Sequence, residues 1–197
     1  KTVLTVPTPV QLECDNPIVI ADINSGFWKE QRGTKAYRPP LTLEVGPAGL
    51  LELHGNIPLD VYLRGVLPAE MSPSWPEQAL RAQAVAARSE IISSLAGKHR
   101  LEGFDFCAVE HCRAYKGYQG HAEATDAAIQ ETHGEIIVAN GEAVPTVFSS
   151  NCGGWTESNE HVWSGPPNPV LRAVPDFPLG GGRKSTSPQS RGMAQWL

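Results

Sequence analysis

The chain is expected to adopt an α+β fold: a β-rich body, one long alanine-rich helix and a shorter second helix beside an open groove. Three observations predict it. Short runs over residues 1–60 alternate apolar and polar side chains, as half-buried strands do. Residues 77–96 contain no Gly or Pro and repeat apolar side chains at helical spacing. An Asn140-Gly141 pair stands between two apolar runs, the strongest short-range signal for a hairpin.

Taken in order, Val6 to Leu12 alternates around two prolines, Ile18-Val19-Ile20-Ala21 is a short apolar run, and Leu41-Thr42-Leu43-Glu44-Val45 alternates cleanly. The polar stretch 29–40 ends in two prolines and is expected to be a surface loop. Gly46-Pro47-Ala48-Gly49 reads as a turn into the strand Leu50-Leu51-Glu52-Leu53. Residues 58–71 begin as a short helix or extended segment. In the long helix that follows, Ser74 is the expected cap, Pro76 suits an early position and Glu77 favours the positive N-terminal dipole. Leu80, Ala84, Ala87, Ile91 and Leu95 share one face, and Gly97 is the expected stop. Residues 98–120 mix His, Cys, Gly and aromatic residues without period, which predicts an ordered functional loop. A second helix is expected over 122–132, ended by Gly134, then strands over 135–139 and 143–149. The whole is read as a single domain, 1–197, with a flexible Pro/Gly-rich tail from about 165 that includes Gly180 to Ser185.

Composition narrows the function. Hydrophobic residues make up 41% of 197, enough for a core. The balance of 16 Lys+Arg against 21 Asp+Glu, net −5, argues against nucleic acid or anionic lipid as partner, since both need a basic footprint. No stretch approaches the roughly 18–20 apolar residues of a membrane span.

Two constellations carry chemistry. In Tyr62-Leu63-Arg64-Gly65-Val66-Leu67-Pro68-Ala69-Glu70-Met71, one carboxylate stands among apolar neighbours. Desolvation there would hold its proton near neutrality and suit it to general acid catalysis; a plain surface Glu is the alternative. The second is Cys107 and Cys112 with His99 and His111 nearby. Thiolate and imidazole groups at this spacing suit zinc, while a Cys107–Cys112 disulfide or free thiols compete. Because His111 adjoins Cys112, shared ligation is expected to strain the backbone. Trp155 and Trp163 suit either a glycan groove or turn packing, and His121, His133 and His161 are expected at surfaces.

The segment YLRGVLPAEMSPSWPEQALRAQAVAARS resembles the signature of the SpoIID (stage II sporulation protein D) family, and so do CAVEHCRAYKGY and FSSNCGGWTES. The blocks lie in family order over 59–158. The resemblance implies an extracytoplasmic lytic transglycosylase of the periplasm or cell wall. Its substrate would be peptidoglycan glycan strands, preferably stripped of stem peptides, with other cell-wall hydrolases as further partners. It implies Glu70 as the catalytic acid and base, with Arg88, Gln83, Tyr115, Lys116, Ser149, Ser150 and Gly153 at the substrate. By the pattern of zinc-binding members, His99, Cys107 and Cys112 would be the metal ligands, with Cys152 as a conditional fourth. Arg113 stands where the family has Gln. Related domains also imply two rivals, a noncatalytic cell-wall-binding or amidase-enhancing module and a zinc-dependent cell-wall hydrolase.

Overall fold

A computed structural model describes residues 7–24, 32–95, 97–109 and 111–176. The expected tail beyond 176, with Gly180 to Ser185, lies outside these, as do Val6 and residues 29–31. The fold is mixed α and β, as expected. The chain packs as two compact units, Lys1–Thr146 and Val147–Leu197.

In the first unit, β1 (Val10–Leu12), β4 (Leu41–Val45) and β5 (Leu51–Gly55) form an antiparallel sheet in the order β1-β4-β5. Leu43 lies opposite both Val10 and Leu53, so period-2 alternation puts their side chains on shared faces. β2 (Ile18–Asn24) pairs with β3 (Arg32–Tyr37) in a separate antiparallel ribbon. The described end of the expected 29–40 loop is therefore a strand. Its polar sequence hides the role because, among the residues whose burial is described, Ala36 and Tyr37 are the buried ones, and the strand is defined by its pairing with β2.

Helix α1 (Leu59–Glu70) resolves the ambiguous 58–71 segment. Leu59, Leu63 and Leu67 recur every fourth residue and meet Leu80, Ala84, Ala87 and Ile91 of α2 (Glu77–Ser93) and Ala128 and Ile129 of α3 (Glu123–Glu131). Val66, on another face, packs with Tyr37, Leu41 and Tyr115, and Tyr62 touches both clusters. Leu63, Leu67, Leu80 and Ile129 are at most 1% exposed, and each such burial stabilises the fold by roughly 2 kcal/mol. Gly65 is required where α1 meets the following loop, since a Cβ there would stand 2.4 Å from the Tyr115 ring and 2.9 Å from the Gly117 carbonyl.

Two helix boundaries differ from expectation. α2 starts after Pro76, whose carbonyl accepts from the Ala79 and Leu80 amides, and no side chain caps it. Ser74 instead shares a 2.9 Å hydrogen bond with the Ser72 hydroxyl, inside a turn closed by the Trp75 amide on the Ser72 carbonyl. α2 ends at Ser93, where the Ser94 hydroxyl and amide both bond the Glu90 carbonyl. Leu95, expected on its buried face, is 51% exposed. The hairpin turns at Asn140 and Gly141 with φ of 54° and 85°, the left-handed pair of the predicted tight turn. Its strands are shorter than expected, β6 (Val138–Ala139) and β7 (Glu142–Ala143).

The described part of the second unit is mostly irregular. A bridge joins Trp155 to Pro175, and the short helix α4 (Asn159–Val162) is tied by Arg172, whose guanidinium bonds Glu160 and Asn159.

Candidate functional site

Glu70 ends α1, where Pro68 in the last turn and Pro73 beyond limit further winding. As a residue it is exposed. Its carboxyl still lies close enough to packed protein that desolvation is the largest influence on it, raising its pKa above the ordinary 4.5. The Ala114 amide and the Arg113 guanidinium pull that pKa back down, and the Glu90 carboxylate pushes it up.

Arg113 is the centre of this neighbourhood. It is 9% exposed, forms a 2.6 Å ion pair with Glu90 of α2, and lies 4.2 Å over the Phe106 ring and 5.8 Å from that of Tyr62. Its Nη1 has no hydrogen-bond partner among the described residues. A cleft of about 100 Å³ is lined by Glu90, Lys98, Asp105, Phe106, Cys112 and Arg113, so it shares two charged groups with the surroundings of Glu70. The sequence marked Arg113 as a departure from a family pattern; its partner Glu90, 23 residues earlier, carried no local signal.

The other expected substrate residues lie as follows. Arg88 is 2% exposed, and all its guanidinium donors are engaged: Nε and Nη2 on Asp60, Nη2 on the Ile129 carbonyl, and Nη1 on Thr132 and the Glu135 carbonyl. It ties α1, α2 and the end of α3 together and offers no donor to a ligand. Asp60 also holds His133. Gln83 is half-buried on α2 with its Nε2 buried and unpartnered among the described residues. Tyr115 is 9% exposed in the core against Tyr37 and Tyr62, its hydroxyl pushed up to about 12 by burial. Lys116 is exposed, with Nζ donating to the Pro68 carbonyl at 3.0 Å, two residues from Glu70. Its amide donates to the Gly65 carbonyl.

Ser149, Ser150, Cys152 and Gly153 belong to the second unit. There the Gly153 amide donates to Asn151 Oδ1 at 2.7 Å, and the Cys152 thiol lies 3.3 Å from Asp176 Oδ2. Trp155 and Trp163 are more than half exposed.

The cysteine constellation does gather. His99, Cys107, His111 and Cys112 each bring one ligand atom to within 4.8 Å of the others. Cys107 and Cys112 are free thiols with sulfurs 3.4 Å apart. His99 is 8% exposed; its Nδ1 meets Glu102 Oε2 at 3.2 Å, which leaves Nε2 buried and without a partner among the described residues. An orphaned imidazole nitrogen beside two thiols is a donor set that fits zinc. His111 adjoins Cys112, and its Nδ1 lies 3.7 and 3.8 Å from the two sulfurs.

Comparison with known proteins agrees with the first two motif blocks. Residues 49–138 match the family model described as SpoIID, stage II sporulation protein. The chain is 38% identical over 105 residues to an uncharacterized protein of Brachyspira hyodysenteriae, covering 53% of this chain and 28% of that one. It is 36% identical over 102 residues to the amidase enhancer of Bacillus subtilis, covering 52% and 13%. It is 30% identical over 134 residues to stage II sporulation protein D of Bacillus subtilis, covering 60% and 38%. The chain thus spans well under half the length of each of these relatives. The match to the SpoIID family thus runs from the β4–β5 turn through α1, Glu70 and the cysteine loop to β6, over residues 49–138.

Proposed function

We propose that this chain is a peptidoglycan lytic transglycosylase in which Glu70 serves as both acid and base. The carrying observation is the Glu70 carboxyl itself: exposed to a substrate, yet desolvated enough to raise its hold on a proton. The SpoIID family match and the relatives named amidase enhancer and stage II sporulation protein D support a role at the cell wall. An extracytoplasmic location follows from that reading, and no helix among the described residues is long and apolar enough to cross a membrane.

In the proposed reaction, protonated Glu70 donates to the oxygen linking N-acetylmuramic acid to N-acetylglucosamine as the C1–O bond breaks. Positive charge develops at C1 of the muramic residue. Its own C6 hydroxyl attacks that carbon, and the proton it loses passes to the Glu70 carboxylate, which restores the acid. The product carries a 1,6-anhydro end and no water is consumed. One carboxyl suffices because acid and base steps fall on the same side of the sugar in succession, unlike the two-carboxylate arrangement of hydrolases. Acid–base help of this kind contributes on the order of 100- to 10,000-fold.

Arg113 and Glu90 set the poise of that proton, and Lys116 holds the last turn of α1 through Pro68. Gln83, whose Nε2 has no hydrogen-bond partner among the described residues, is a substrate contact in this scheme. Zinc, held by His99, Cys107 and Cys112, would supply a crosslink within the loop that carries Arg113 and Ala114.

The test is turnover of purified glycan strands by wild type and Glu70→Gln, with thermal unfolding of both. The proposal predicts cleavage by wild type alone. Since ionising Glu70 opposes folding above the ordinary carboxylate value, the variant should be as stable as wild type or more so at pH 7. Strand binding by both proteins with cleavage by neither would instead establish the noncatalytic module.

A further inference from the structure

The cleft beside Arg113 has the chemistry of a site for a neutral group that both accepts and donates a hydrogen bond. We propose that it is an acetamido pocket, which seats the N-acetyl group of a sugar at or next to the scissile bond, and that Arg113 is the residue that selects for it. The choice of a glycan as ligand rests on the proposed function; the preference of the cleft for a neutral amide does not.

Three observations converge. First, Arg113 lines the cleft and is 9% exposed, and its Nη1 has no hydrogen-bond partner among the described residues. Its Nη2 is spent on Glu90 at 2.6 Å and Ser94 at 3.5 Å. A buried charged donor left unmade is costly, so an acceptor is the group this site lacks. Second, the charged lining is balanced: Glu90 and Asp105 are offset by Lys98 and Arg113. Arg113 is already neutralised by Glu90, and Lys98 Nζ donates to the His111 carbonyl at 3.2 Å. An entering carboxylate or phosphate would gain little from that paired guanidinium and would meet two carboxylates, while an ammonium would meet two cations. A neutral amide avoids both repulsions. Its carbonyl accepts from Nη1, and its N–H finds carboxylate acceptors in the lining. Third, Phe106 gives the cleft an apolar wall, fixed by the guanidinium 4.2 Å over its ring and by the stacked Tyr62 ring at 6.1 Å. That wall suits the methyl group. The cleft of about 100 Å³ far exceeds the roughly 10–15 Å³ that one water needs, so a group of several atoms enters.

Glu70 fixes which sugar is read. Arg113 and Glu90 both act on the charge of that carboxyl, so a group seated on them belongs to a sugar at the bond being broken or beside it. An arginine also reads in one sense only. Its nitrogens donate and never accept, so unlike an Asn or Gln amide it cannot turn round to suit an ammonium. A strand whose amino sugar has lost its acetyl group therefore presents a cation to Arg113 and Lys98 and leaves Nη1 without its acceptor. Removal of N-acetyl groups from the wall would protect it from this protein.

The test is calorimetric titration of the full chain carrying Glu70→Gln, so that no ligand is cut. The ligands are peptide-free glycan oligomers in three forms: N-acetylated, N-formylated and de-N-acetylated. Loss of the whole acyl group should weaken binding about tenfold or more, because a charge-assisted hydrogen bond goes with it. Loss of the methyl alone should cost about fourfold, the worth of one buried CH2-sized group. Adding Arg113→Ala should bring the ratio between acetylated and de-N-acetylated ligands close to one. Phe106→Leu should keep that ratio and shrink the formyl effect. Because Arg113→Ala leaves Glu90 unpaired, Arg113→Gln and thermal unfolding accompany it; the Gln variant should retain part of the preference for acetyl. Equal affinity for the three forms would overturn the proposal, as would tighter binding after de-N-acetylation or an undiminished acetyl preference in both Arg113 variants. Cleavage by the Glu70 protein without acetyl discrimination would remove the pocket and leave the transglycosylase reading standing. Acetyl discrimination without cleavage would do the reverse, and absence of any strand binding would remove both.

Discussion

Replacing Arg88 by Ala separates two roles that the same residue would otherwise confuse. Arg88 is 2% exposed, and its five N–H groups meet Asp60, Thr132 and the carbonyls of Ile129 and Glu135. Truncation leaves the buried Ile129 carbonyl with only a long 3.5 Å contact from Thr132, strips a donor from the partly buried Glu135 carbonyl, and leaves Asp60 without its guanidinium. Breaking one side of a buried pair costs about 3–5 kcal/mol. Asp60 is 27% exposed and keeps His133, which places the cost near the lower end, about 3 kcal/mol. For a packed unit of this size that lowers Tm by about 10 °C. Arg88→Lys, with three donors on a single nitrogen, should recover only part of the loss. The assay is thermal unfolding followed by circular dichroism, with strand binding measured well below both transitions. If Arg88→Ala unfolded within about 2 °C of wild type yet lost affinity for glycan, the bracing role would be refuted and the guanidinium would have to face the substrate.

The pH profile provides a second prediction. A general acid must be protonated, so kcat/KM should fall as pH rises through the Glu70 pKa, and desolvation puts that limb above the ordinary 4.5. Arg113→Gln removes the nearby cation and leaves Glu90 unneutralised, which should move the limb to higher pH; Glu90→Gln should move it lower. Opposite or absent shifts in steady-state profiles would remove this pair from the account of Glu70. Gly65→Ala should lower Tm by several degrees, because its methyl meets a ring at 2.4 Å and a backbone carbonyl at 2.9 Å on a helix otherwise favourable to Ala. A variant as stable as wild type would show that the Tyr115 loop yields easily.

What the sequence made legible was local. The buried face of α2 follows from spacing alone, since Leu80, Ala84, Ala87 and Ile91 need no partner to be recognised. The turn at Asn140-Gly141 is likewise written in two residues that tolerate positive φ. Glu70 stands out because its block of neighbours is distinctive. What escaped was set by partners distant in the chain. β3 is a strand because β2 pairs with it, although its own residues look like loop. Arg88 looks like a surface cation on its helix until Asp60, 28 residues upstream, draws it inward. Glu90 matters through Arg113, 23 residues later in the chain.

The central claim is that Glu70 moves one proton out and back without admitting water to the broken bond. Digestion of purified, peptide-free glycan strands in H2 18O, read by mass spectrometry, tests it most directly. The account predicts fragments ending in 1,6-anhydro muramic residues with no heavy oxygen incorporated at the cleavage site, and no fragments from Glu70→Gln. Reducing ends carrying one 18O per cut would contradict it and identify a hydrolase instead.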